Sequence, residues 1–403
     1  MPTRISRAWW GTFILFLVHG LIVGTWVSRI PAIKTALHLS NAILGVTLLS
    51  SAVGAMCTIP VTGALINRFG SKRVSAFSSV GFCFGVTLMA LAWNAISLAV
   101  ALYIFGGVAA AMDVAMNAQA VEVEKAMAKP TMSRFHAMFS FGAMAGAAAG
   151  GWIAAREIAP LTHFAISGAI NLVGVVIAIP LLLQTHAHLQ QREHRLPLSN
   201  LPPALIALSA IGFCILLSEG AMADWTAVYY RQVLHTGQGI AAEGYAVFSA
   251  AMAAFRFIGD WITARLGPLR TVRTAAMVAA SGPLWTLSVH SPISGLPGLA
   301  ITGAGLSVII PLVFGGGGRV PGVNPGPGIA TVTGIGYVGF IVGPPSIGFV
   351  SQMIGLRYAL GIVVACCLAG AYLSRFMALL TPAADPHNPS SPDIQPHVLE
   401  NLS

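Results

Sequence analysis

The stretch Gly63–Val74, GALINRFGSKRV, sets three basic residues, Arg68, Lys72 and Arg73, beside two glycines in an otherwise apolar region. Such an interruption reads as a short polar turn between two membrane spans. An echo, GDWITARLGPLRTVR from Gly259 to Arg273, aligns Arg68 with Arg265 and Gly70 with Gly267, an offset of 197 in a chain of 403 residues. An offset of half the length marks a duplicated chain, so the two halves are expected to be built alike.

Composition agrees with this reading. Hydrophobic residues make up 56% of the chain and charged residues 8%, with a mean hydropathy of +0.80, whereas a soluble domain carries about 25% charged residues. So few charges cannot cover a water-facing surface, and the chain reads as a polytopic membrane protein. The net charge of +9 does not point to nucleic acid, because the basic residues sit in short loops where they report topology. The five cysteines lie in apolar runs without metal-ligand spacing and read as packing residues. MPTRISRAWW and the apolar run to Val27 have a signal-like basic flank, but the run is too long for a signal peptide and is expected to remain as the first span.

Runs able to cross about 30 Å of hydrocarbon fall at 9–28, 42–66, 74–92, 96–120, 133–154, 161–183, 203–223, 241–259, 272–290, 293–313, 329–351 and 358–380. These twelve spans are expected to be helical, since a backbone in lipid must satisfy its own hydrogen bonds. The fold class expected is thus an all-α membrane protein with twelve transmembrane helices in two pseudo-symmetric six-helix halves. Residues 1–183 form the first half, 184–200 a linker, 201–380 the second half and 381–403 a disordered, proline-rich tail. Of the 21 Lys and Arg residues, 16 fall on one side and 5 on the other, the latter being Arg29, Lys34, Arg156, Arg231 and Arg357. The excess marks the cytoplasmic side and puts both termini there, as an even number of spans requires. Within the linker, His186, His188 and His194 lack acidic or cysteine partners, and no metal site is expected.

Enzymatic chemistry finds no support. GGGGRVPG, Gly315–Gly322, lacks the lysine of a phosphate loop, and neither HExxH nor GxSxG occurs. No nucleophile, base and orienting group can be assembled from the spans, so the chain is read as a non-enzyme without cofactors. Its work is expected to draw on a gradient.

Two six-span halves with Gly-x-x-x-Asn-Arg-Phe-Gly-x-Lys-Arg after span 2, and a degenerate copy after span 8, resemble the major facilitator superfamily. AMDVAMNAQ, Ala111–Gln119, and SRFHAMFSFGA, Ser133–Ala143, resemble its fucose-permease-like branch and a group of bacterial inner-membrane permeases of unassigned substrate. WVSRIPAI, PGPGIATVTGIGYVGFIVGPP and GLRYAL look like the latter group. The resemblance implies a plasma (bacterial inner) membrane location and a monomer sufficient for function. It also implies a conformational motif of Gly63, Asn67, Arg68, Gly70, Lys72 and Arg73, answered in the second half by Arg256, Asp260, Arg265 and Gly267. An aspartate usual in the superfamily is here Asn67, which keeps hydrogen bonds but not the charge; in the second half Asp260 is available, with Arg256 one helical turn before it.

Ionisable residues inside spans are informative, because each costs at least about 2.5 kcal/mol in lipid. His19, Asp113, His136 and Glu219 are four such residues. Asp113 and Asn117 are four apart and share one face of span 4, an acid beside a neutral amide. By resemblance to the proton-coupled branch, Asp113 is the expected proton site; Glu219 or His136 is the expected relay. His19 and Trp26 share a face of span 1; shifting His19-Gly20 by 200 lands on Glu219-Gly220, which suggests opposite walls of one cavity. Glu219 has no obvious partner in the sequence. His136 and Phe139 on span 5 and Tyr337 on span 11 complete the expected solute-binding set. Gly142, Gly146 and Gly150 read as a packing stripe, and Pro344-Pro345 as a bend that lets span 11 gate the path. One departure is that span 1 carries no carboxylate where the fucose-permease-like branch has one, so fucose itself is not supported.

These readings lead to a secondary active transporter that moves a small polar solute, a sugar or related metabolite, with protons by alternating access. Efflux of amphipathic compounds and a transport-inactive receptor or scaffold are the alternatives.

Overall fold

The computed structural model describes residues 2–129, 131–184 and 201–380, and these are almost entirely helical. The linker beyond Gln184 and the tail from 381 lie outside the described residues. The first half comprises α1 (Pro2–Ala36), α2 (Asn41–Phe69), α3 (Ser71–Leu91), α4 (Ala95–Met127), α5 (Met132–Ala154) and α6 (Pro160–Leu181). In the second half come α7 (Pro203–Gln232), α8 (Gln238–Leu266), α9 (Pro268–Ser288), α10 (Pro292–Gly317), α11 (Pro325–Ile354) and α12 (Leu356–Leu380). Among the described residues 11 of these helices are long and apolar enough to cross a membrane. The remaining one, α9, has 21 residues but carries Arg270 and Arg273 in its first two turns.

The duplication read from the turn is visible in the backbone. Gly70 joins α2 to α3 at φ 83° and ψ 151°, and Gly267 joins α8 to α9 at φ 76° and ψ 157°. Each is a single-residue joint in a conformation that side chains rarely adopt, which explains why glycine recurs at this offset. Packing repeats as well: α1 lies on α5 and α2 on α4 in the first half, as α7 lies on α11 and α8 on α10 in the second. Between the halves, α2 meets α11 and α5 meets α8.

Small residues set the closest approaches. A methyl group on Gly20 would run into the Phe139 carbonyl oxygen, and one on Gly146 into that of Leu21, so α1 and α5 touch backbone to backbone. Lipid supplies no hydrophobic drive between helices, and such contact maximises dispersion instead. The same device closes the halves at the end bearing few charges. A Cβ on Gly151 of α5 would lie 2.8 Å from the Gly239 carbonyl of α8, and Gly348 of α11 lies against Asn41 of α2. α11 remains one helix through Pro344 and Pro345, and the Pro344 carbonyl abuts Gly45 of α2 at this seal.

Several helices outrun the apolar runs. α1 continues past Ser28 because Arg29, 2% exposed, donates to the Ile158 carbonyl rather than to water. α7 continues to Gln232 through buried Trp225, Tyr229 and Tyr230, and α4 continues to Met127. Arg256, counted from sequence among the charges of the charge-rich end, instead lies within α8 near mid-length.

Candidate functional site

Asp113, Ser140, Glu219, Arg256 and Tyr337 come from the middle stretches of α4, α5, α7, α8 and α11, so five helices deliver polar groups to similar depth. On α4 the four-residue spacing acts as expected. Asn117 Nδ2 donates to Asp113 Oδ1 at 3.1 Å and to its carbonyl oxygen at 2.9 Å. Among the described residues no basic side chain pairs with Asp113.

Glu219, read from sequence as lacking a partner, has one. Its Oε1 stands 3.6 Å from Arg256 Nη2, with the side chains 21% and 15% exposed. At that separation the contact is an ion pair without a short hydrogen bond. The hydrogen bond goes elsewhere: Arg256 Nη1 donates to Ser140 Oγ at 2.6 Å, and Ser140 Oγ donates to the His136 carbonyl at 3.3 Å. A guanidinium of the second half thus ties its own carboxylate to a hydroxyl of the first. The i−4 relation to Asp260 is not used; Asp260 is exposed, and among the described residues no ion pair joins it to Arg256.

Tyr337 is 39% exposed although it lies mid-way along α11, and the fields of both Asp113 and Glu219 reach it. A residue within reach of carboxylates from both halves faces the space between them, so that exposure is to an internal, water-accessible gap. The His136 imidazole sits edge-on to Phe16 at 5.3 Å and within the field of Arg256. Phe139 is half-buried beside it.

His19 lies one layer back. It is 7% exposed, with its ring 4.9 Å from Phe82 and 5.4 Å from Phe139. Trp26, 5% exposed, packs against Phe164 of α6 with ring centroids 6.4 Å apart. His19 thus packs among rings of its own half, whereas Glu219 stands against Arg256. Trp225, the counterpart of Trp26, is also buried inside its half.

Residues 8–317 match the Major Facilitator Superfamily. The chain belongs to that superfamily. An uncharacterized transporter of Sinorhizobium fredii is 34% identical over 362 residues, covering 89% of this chain and 95% of the relative. Among solved structures, a bacterial homologue of the human lysosomal transporter Spinster, inward-facing and unoccupied, superposes with a TM-score of 0.71 at 13% identity, over 94% of this chain and 99% of the other. The E. coli fucose:proton symporter superposes with a TM-score of 0.58 at 18% identity, over 91% and 98%. At these identities the structural likeness concerns the fold alone.

In this superfamily member the two polar turns occupy the same end of both halves. Arg68 stacks over the Phe69 ring at 5.1 Å and Arg265 over Trp261 at 4.6 Å. Lys72 reaches the end of α6 through the carbonyls of Pro180 and Leu182. Gly63 is half-buried, whereas Asn67 and Arg73 are exposed. Asp224 stands one residue beyond the apolar run 203–223 and so is not among the acids that hydropathy places inside a span. It lies on α7 five residues beyond Glu219, half-buried, and its field reaches Tyr245 together with those of Glu219 and Arg256. The signal for it was EGAMADWT, a second acid within reach of the first. Among the described residues no group of three His, Cys, Asp or Glu side chains is placed to hold a metal.

Proposed function

We propose that this transporter couples proton movement to passage of a small polar solute by alternating access, with the charge-rich end cytoplasmic and the described conformation closed to the outside. The observation that carries this reading is the contrast at mid-depth between Asp113, held by a neutral amide, and Glu219, held by a guanidinium that also grips the other half. An acid with a neutral partner can gain or lose a proton without stranding a buried cation. Asp113 is therefore the proton carrier, and Asp224 the second acid open to protonation. Glu219 and Arg256 serve as the sensor: a solute hydroxyl inserting between Arg256 and Ser140 takes over their hydrogen bond and releases the halves. Asn117, His136, Phe139 and Tyr337 offer the amide, imidazole and aromatic faces that suit a polyhydroxylated solute.

The test is proton movement on adding sugars, polyols and organic acids to proteoliposomes. External alkalinisation with one compound, absent in Asp113→Asn, is expected. Alkalinisation that persists in that variant would remove Asp113 from the coupling role. Silence across the panel with ligand binding retained would favour a non-transporting receptor.

A further inference from the structure

A second polar cavity lies at the charge-rich end of the first half, away from the central site. It has a volume of about 340 Å³ and is lined by Arg4, Arg7, Lys72, Pro180, Leu182 and Gln184. Three cations and no carboxylate line it. Arg4 and Arg7 are three apart on the first turns of α1 and share a face, and the positive end of that helix adds to their field. Trp10, just beyond on α1, is 52% exposed, as an indole at the edge of a bilayer is.

The chain segments that carry the cavity lining are held in place from α4. Gln119, fully buried, donates to Ser71 Oγ at 2.7 Å and to the Leu183 carbonyl at 2.8 Å, and accepts from the Leu183 N–H at 2.9 Å. This clamps the end of α6 to the start of α3 and holds Lys72 over it. Lys72 Nζ makes only long bonds there, 3.4 Å to the Pro180 carbonyl and 3.3 Å to that of Leu182, which offset the carbonyl dipoles and leave a donor for the cavity.

We infer that this cavity binds the phosphodiester headgroup of an anionic membrane phospholipid, with Arg4, Arg7 and Lys72 as its ligands. The chemistry recognised is a phosphate oxygen set, for which paired guanidinium groups suit better than point charges. The lipid source follows from position, at the membrane edge beside Trp10. Because Lys72 belongs to the turn that joins α2 and α3, an occupied cavity would brace that turn. The inference is independent of the solute and of proton coupling.

Native mass spectrometry of the full chain, titrated separately with phosphatidylglycerol and phosphatidylcholine, tests it. Preference for phosphatidylglycerol of about tenfold or more is expected, set chiefly by the two guanidinium groups. In Arg4→Gln/Arg7→Gln that preference is expected to vanish, whereas Arg4→Lys/Arg7→Lys should retain part of it. Arg270→Gln/Arg319→Gln removes equal charge from exposed positions of the other half and should leave the preference intact. Millimolar inorganic phosphate should not displace the lipid. A preference that survives in Arg4→Gln/Arg7→Gln, or falls equally in Arg270→Gln/Arg319→Gln, overturns the assignment. Displacement by inorganic phosphate overturns the lipid source in favour of a soluble anion.

Discussion

The two halves share a fold yet hold their central acids in opposite ways. In the first, Asp113 has an amide 3.1 Å away on its own helix. In the second, Glu219 has a guanidinium 3.6 Å away on the next helix, and that guanidinium is itself bonded across the interface. A duplicated scaffold therefore carries an asymmetric site, with one acid whose charge is unopposed and one whose charge is matched. On the function proposed above, the first kind carries the proton and the second registers whether the halves are together.

The largest expected effect comes from abolishing the unopposed charge. Under one unit of pH gradient, a carrier moving one proton per solute accumulates it about tenfold. Asp113→Asn is expected to bring accumulation down to equality while solute exchange continues, measured as counterflow in proteoliposomes. Glu219→Gln should slow both uphill transport and exchange, because it disturbs the link between halves rather than the proton. If the two variants lose accumulation in the same manner, the asymmetry has no functional meaning.

This comparison explains which parts of the site the chain discloses by itself. Asp113 and Asn117 could be found because their contact lies within one helix, where a spacing of four fixes a shared face. Arg256 and Glu219 are on different helices, and the local rule offered Asp260 as the partner of Arg256 instead. Similarly, the Gly70 and Gly267 joints are legible since only a residue free of a side chain suits their positive φ, and they carry the duplication. The ends of α1 and α7 are not, because a hydropathy run stops at Arg29 and at Asp224, whereas the folded chain supplies a carbonyl to the former and a polar interior to the latter. Burial of Trp26 against α6 is likewise a packing outcome that spacing on α1 alone does not reveal.

A middle-sized effect sharpens the second half of the contrast. Arg256→Gln leaves the Glu219 carboxylate without its cation and Ser140 without its donor, so a loss of about 1–3 kcal/mol in stability is expected. Glu219→Gln should cost less, roughly 1 kcal/mol, because Arg256 keeps Ser140 and borders the water-accessible gap. The double variant should recover part of the loss, with a coupling of about 0.5–3 kcal/mol. Thermal unfolding of the four proteins in one detergent provides the measurement. Strict additivity would mean that the pair at 3.6 Å contributes no more than two separate solvated charges.

The smallest effect is the most specific to the interface between halves. Ser140→Ala deletes one oxygen, leaving Arg256 paired with Glu219 and the backbone of α5 unchanged. The bond it removes, from a charged donor at 2.6 Å, exchanges with water when the halves part, so its net value is about 1 kcal/mol, or roughly fivefold in the balance of conformations. The gain in opening should appear where the halves are sealed, at Gly151 on α5 and Gly239 on α8, half a helix from the substitution. Hydrogen–deuterium exchange there should quicken, while exchange around Gly20 and Gly146, whose contacts stay within the first half, should not. Quickening confined to α5 around residue 140 would instead mean that the serine stabilises its own helix, and the Arg256 bond would then be a passive contact between halves held together by their glycines.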